Sequence, residues 1–280
     1  MTRKEKAAAV LDRLRERIPR AETELDFGTD FQLLIAVILS AQCTDKRVNL
    51  VTPALFEAYP DAAAMAQATA DEILPFIRSV SYPNSKATAL AETARRLVDV
   101  YGGEVPRAHA DLVTLRGVGR KTANVVVAVA FDEPAIAVDT HVFRVANRIG
   151  LVKDAPTPRA VEAGLARAIP RDAWGEAHHL LILHGRYTCE ARTPHCERCP
   201  LTDLCAYYAR LQALPAPRTD LDARRGRYYS ATARRYFDTP TFKTDRQGVE
   251  QIADPWSGSM NVFETTSGAS TKRVKDYRIG

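Results

Sequence analysis

The sequence has no apolar run long enough to cross a bilayer. Its longest, Leu33 to Leu39 and Val125 to Phe131, fall far short of the ~20 residues that a spanning helix needs. Its first residues, Met1-Thr-Arg-Lys-Glu-Lys, lack an apolar core followed by a small-residue cleavage site. A cytoplasmic protein with no membrane partner is expected. Cysteine is scarce, at five residues, which argues against a disulfide scaffold. Charge of one sign is also missing from most of the chain. Residues 1–210 hold 27 Lys and Arg against 26 Asp and Glu, while residues 211–280 hold 12 against 8, so most of the net +5 lies in the last quarter. An anionic partner would therefore have to be gripped by a local patch or by backbone amides.

What is there reads as helix. Apolar residues at 7, 10, 11, 14 and 18 keep helical spacing until Pro19. A second helix is expected over about 30–41 and a third over about 45–59, capped by Thr44 and stopped by Pro60. Ala-rich helical segments follow at 61–70, 71–80 and 86–101, punctuated by Pro75, Pro83 and Gly102-Gly103. Further helices are expected near 109–115, 120–131, 141–149, 158–168 and 173–187. No alternating strand pattern precedes residue 210, so the body reads as all-α with short connections. Residues 215–280 mix Pro, Gly, Ser, Thr and Arg with isolated aromatics and sustain no period, which suggests a basic appended tail, partly disordered or loosely packed.

Two constellations carry chemistry. Gly117-Val118-Gly119 joins a short helix to a long apolar one, and two glycines suit a tight hairpin that lets a foreign backbone come close. The unpaired amides and positive dipole end that follow suit a phosphate oxygen, without reading base sequence. Such a turn could also be a plain helix corner. Lys121 stands in the first turn of the long helix, where the dipole and desolvation both disfavour a cation. Asp139, eighteen residues on, precedes another helix and could simply be its N-cap. The second constellation is Cys189-x6-Cys196-x2-Cys199-x5-Cys205, four soft ligands that suit zinc or an iron–sulfur cluster. Arg186, Arg192 and His195 would give that loop a positive face. The lone Cys43 reads as a small buried hydrophobe.

The strings LRGVGRKTANVVVAVAF and IAVDTHVFRVANRIG closely resemble the helix-hairpin-helix and the catalytic-Asp loop of the endonuclease III family. LLIAVILSAQCTD and HHLLILHGRYTC extend the resemblance over roughly residues 4–210. It implies two helical domains, one of residues 23–134 with the helix-hairpin-helix and one of residues 1–22 plus 135–210 around a [4Fe–4S] cluster, with residues 211–280 as the tail. The 6-2-5 cysteine spacing matches the family's cluster pattern. The resemblance further implies a bifunctional DNA glycosylase and AP lyase that removes oxidised pyrimidines. Lys121 would be the nucleophile and Asp139 the assisting carboxylate.

The expected partner is damaged double-stranded DNA, bound by a nucleoid-associated monomer. Its contacts would come from Gly117, Val118, Gly119 and Arg120 in the hairpin, from His141 and Arg144 after the Asp, and from Arg186 and Arg192. Gln42 matches the family's residue for filling the hole left by a flipped nucleotide. The other wedge should lie in Ser79–Lys86. There the chain reads Ser81-Tyr82-Pro83 where the family usually opens with a glycine, which makes Tyr82 the inserting residue of a stiffer loop. Rival readings are a monofunctional mismatch glycosylase acting on adenine or thymine, a non-catalytic DNA-binding module, and a zinc-stabilised helical regulator. The adenine-specific relatives lack the lysine and carry a larger C-terminal domain; the thymine-specific ones usually carry another residue in the lysine's place.

Overall fold

Capping residues set most of the helix starts. In the computed structural model, which describes residues 1–213 and eight short strands between 228 and 278, the helices are α1 (Arg3–Arg17), α2 (Asp30–Ser40), α3 (Asp45–Ala58), α4 (Ala62–Ala66), α5 (Ala70–Ile77), α6 (Pro83–Tyr101), α7 (His109–Leu112), α8 (Arg120–Ala130), α9 (Thr140–Ile149), α10 (Pro158–Ala168), α11 (Trp174–Tyr187) and α12 (Ala206–Gln212). Thr2 and Thr69 each close a capping box with a glutamate three residues on, Glu5 and Glu72. Thr29, Thr44, Asp61 and Thr157 accept from the first-turn amides of α2, α3, α4 and α10. Pro83 does not punctuate a gap before α6 but is its first residue, where the missing N–H costs nothing. Pro75, expected as punctuation, lies inside α5.

Helix α2 is apolar on every side and buried from Leu33 to Leu39, so it can only be a central helix. It packs on α3, α6 and α8. One continuous cluster of buried side chains runs from Leu25 to Ala137 around it. A second set is buried in α1, α9, α10 and α11, among them Leu14, Val145, Leu165 and Leu180. These helices pack on one another, and the Lys6 ammonium donates to the Ile149 carbonyl at the C-terminal end of α9.

The chain divides into two compact units, Met1–Leu204 and Cys205–Gly280. In the second, α12 is followed by four antiparallel strand pairs: β1 (Tyr228–Ser230) with β2 (Arg235–Phe237), β3 (Thr241–Thr244) with β4 (Glu250–Ala253), β5 (Ser259–Met260) with β8 (Tyr277–Arg278), and β6 (Thr265–Ser267) with β7 (Ser270–Lys272). Tyr229 stands opposite Tyr236, and Phe242 opposite Ile252. The tail was expected without such elements. Strands of two to four residues are too short to establish an alternation in the sequence. The remainder of that expectation falls outside the described residues. The helical body is all-α, and among the described residues no helix is long and apolar enough to cross a membrane.

Candidate active site and cysteine loop

The hairpin between α7 and α8 is built by packing as much as by backbone freedom. Gly117 has φ +82°, and a Cβ there would lie 3.2 Å from both Ala89 and Ile38. Gly119 needs no special φ; it is the extended N-cap of α8 and offers no side chain to the helix amides. Those amides keep their hydrogen-bonding capacity for an outside acceptor. Val118 is buried and its amide donates to the Leu115 carbonyl at 3.1 Å, so of the expected hairpin contacts it offers a ligand neither a side chain nor an N–H. The Thr93 hydroxyl donates to the Arg116 carbonyl at 2.8 Å and pins the turn to α6.

Asp139 is the N-cap of α9, its Oδ1 accepting from the Val142 amide at 2.8 Å. That bond fixes the carboxyl group's direction, and Oδ2 makes no hydrogen bond among the described residues. The extended chain leading to Asp139 is tied to α8 by the buried Asn124, whose amide donates to the Ile136 carbonyl at 2.9 Å. Asn124 lies one helical turn beyond Lys121, so the helix that carries the amine also positions the approach to the acid.

Lys121 and Asp139 line one cavity of about 710 Å³, together with Gln42, His141 and Arg186. Cys43, expected as a buried hydrophobe, is half-buried and lines it too. Three further charged lining residues, Glu24, Asp45 and Lys46, were not singled out in the sequence, where isolated charges in a loop or a first helical turn carry no signal. A smaller cavity of about 50 Å³ shares Lys121 and Asp139 and reaches His178 and His179. Burial, with smaller pushes from His179 and Lys121, holds His178 well below the usual imidazole pKa. Burial lowers His179 as well.

These depressed values predict acid lability. The unfolded histidines titrate near pH 6.5, above the folded ones. At mildly acid pH the unfolded chain therefore binds more protons, so stability is complete above that value and falls as pH drops toward the folded pKa. The urea midpoint should fall between about pH 7.5 and about pH 5.5, and His178→Gln should flatten that dependence. A midpoint equally steep in the variant would assign the lability to other groups.

Several expected DNA contacts are already engaged. Arg186 pairs with Asp45 at 2.7 Å and with Glu24, whose other oxygen accepts from the Tyr187 hydroxyl, so it sits in the cavity with its charge offset. Arg144 donates to the carbonyls of Gly185 and Cys189 and to His141 Nδ1, clamping α9 to α11 and to the start of the cysteine loop. Arg120 pairs with Glu162 of α10 at 2.6 Å on the surface. Arg192 is exposed, and His195 lies between Glu190 and Glu197, which offsets the positive face expected there. Tyr82 is 64% exposed, and both it and Gln42 adopt left-handed backbones, φ 55° and 54°. A non-glycine residue held there costs about 1–3 kcal/mol, and such strain collects at sites of function. Ser81, where the resemblance led a glycine to be expected, is not itself strained; the left-handed turn falls on Tyr82, just before Pro83.

Cys189, Cys196 and Cys199 close the first unit and Cys205 caps α12, accepting from the Tyr208 amide. Among the described residues no three metal-ligating side chains are already gathered within reach of one ion. The donors nevertheless suit an iron–sulfur group. Four thiols fall within 17 residues. Arg148 approaches Cys189 Sγ at 3.6 Å while donating to the Glu190 and Ala191 carbonyls. The buried His184 lies 3.8 Å from Cys199 Sγ. N–H donors of this kind stabilise anionic cluster sulfurs.

A hairpin with free helix amides, a lysine and a carboxylate sharing one cavity, and a four-cysteine loop define a class: residues 35–171 match the helix-hairpin-helix-GPD superfamily of base excision DNA repair proteins. Residues 189–205 match the iron–sulfur binding domain of endonuclease III. The endonuclease III of Bacillus subtilis is 46% identical over 70% of this chain and 89% of its own. That of Escherichia coli K12 is 46% identical over 73% and 96%. A trapped endonuclease III–DNA covalent intermediate superposes with a TM-score of 0.72 at 44% identity, over 76% of this chain and all of that one. A thermostable thymine-DNA glycosylase, at 24% identity and a TM-score of 0.68, shares the fold. The chain belongs to the endonuclease III family. It is a DNA glycosylase and AP lyase of base excision repair with a [4Fe–4S] cluster.

Proposed function

We propose that this enzyme excises oxidised pyrimidines from damaged double-stranded DNA as a monomer, and nicks the strand by β-elimination through Lys121. The observation that carries the reading is the shared cavity of Lys121 and Asp139. The Lys121 amine attacks C1′ of an extruded nucleotide; the glycosidic bond breaks and the base leaves with a proton. The C1′–O4′ bond then opens, with a proton passing to O4′, and the resulting iminium acidifies the C2′ hydrogen; loss of that proton breaks the C3′–O bond and expels the 3′ phosphate. Asp139 accepts a proton from the attacking amine and offsets the positive charge that grows on the sugar.

The two lobes expected from the sequence, residues 23–134 and residues 1–22 with 135–210, form the walls of the DNA groove. The separate buried sets around α2 and among α1 and α9–α11 support this. The amides of Gly117 and Gly119 and the first turn of α8 hold a phosphate. Gln42 and Tyr82 fill the space of the extruded nucleotide. Cys189, Cys196, Cys199 and Cys205 hold the cluster, which when bound ties the end of α11 to the residues that follow it.

Borohydride reduction of the purified enzyme on a duplex with one thymine glycol tests the reading. A covalent protein–DNA adduct is expected. A protein that binds this duplex and releases the base without an adduct would be a monofunctional glycosylase instead.

A further inference from the structure

The loops that present Gln42 and Tyr82 come from distant parts of the chain, one at the end of α2 and the other before α6. They are nonetheless joined. The Ser81 hydroxyl donates to the Gln42 carbonyl at 2.7 Å. Behind this bond the ammonium of Lys86, a residue only 7% exposed, donates to the carbonyls of Leu39 and Ala41 at 2.7 Å each. It thereby satisfies the C-terminal carbonyls of α2 with a charge of the favourable sign. The Lys86 amide in turn donates to the Tyr82 carbonyl at 3.1 Å, and Pro83 locks the next residue of that turn. Both inserting residues are thus held in left-handed conformations by one connected set of bonds, and their side chains stay exposed.

We propose that Ser81 is a positioning residue that couples Gln42 and Tyr82, so that the two enter the duplex as one rigid wedge. This rests on the reading that these two residues open the duplex. A rigid pair has two consequences. Loss of either member disables the wedge, so a second loss adds little. Loss of the tether lets each act alone.

The test is single-turnover excision of thymine glycol by the cluster-loaded enzyme, with the lesion in a full duplex or in an unpaired bubble that needs no opening. Ser81→Ala should slow the duplex reaction about tenfold and leave the bubble reaction unchanged, whereas Ser81→Thr, which keeps the hydroxyl, should restore the duplex rate. Gln42→Ala and Tyr82→Ala should each slow the duplex reaction. Their double variant should be scarcely slower than the worse single, but their factors should multiply when residue 81 is alanine. The proposal is overturned by an unchanged duplex rate in Ser81→Ala, by equal slowing on duplex and bubble, or by factors that multiply with Ser81 in place. If Gln42→Ala and Tyr82→Ala both leave the duplex rate unchanged, the opening assignment itself fails.

Discussion

Lys121→Ala should yield no borohydride-trapped adduct and should lower strand nicking at an abasic site by at least about 10³-fold, because the covalent route is removed entirely. The variant should still fold and still bind. Lys121 is exposed at the second position of α8, a place where substitutions move stability by about 0.5 kcal/mol or less. The Gly119 cap and the neighbouring amides that would hold the phosphate do not depend on its side chain. Loss of trapping with an unchanged melting temperature and unchanged affinity for an abasic-site analogue would therefore locate the nucleophile. Persistence of the adduct would move it to another amine, and Lys46, which lines the same cavity, would be the first to replace.

Asp139→Asn is expected to reduce base excision by roughly 10²- to 10⁴-fold at nearly wild-type stability. The reason lies in the residue's double use. Asparagine caps a helix about as well as aspartate, so the bond to the Val142 amide survives, and only the favourable charge at the start of α9, worth about 0.3–1 kcal/mol, is lost. The carboxylate's proton affinity and negative charge disappear from the cavity. Asp139→Ala, by contrast, should lose the cap too and cost about 1 kcal/mol more in unfolding measurements. If the Asn and Ala variants both kept wild-type activity and differed only in stability, Asp139 would be a cap alone.

These two residues also show how far the sequence could be read. Asp139 announces a helix start by its type and place, and it is one, yet the same letter says nothing about a cavity. The thiol spacing, the Gly-x-Gly turn and the Thr44 cap depend on neighbours within a few residues, and so they were legible. The carbonyls that Lys86 satisfies lie more than forty residues away, and the Ser81 partner lies 39 away. Neither pairing leaves a local trace. The arginines mislead for the same reason. Arg120, Arg144 and Arg186 read alike as DNA-facing cations, but long-range partners turn one into a surface ion pair, one into a helix clamp and one into a neutralised cavity wall.

By itself the sequence determined most helices of the body, the caps at Thr44 and Asp139, the hairpin and the soft-ligand set, because each depends on short-range periodicity, backbone freedom or ligand chemistry. Tertiary structure alone decided which side chains share the cavity with Lys121, which cations keep their charge available, and that the loops of Gln42 and Tyr82 are tied together. Those outcomes depend on the packing of helices distant in the chain, where burial and hydrogen bonding select among partners that the local sequence does not rank.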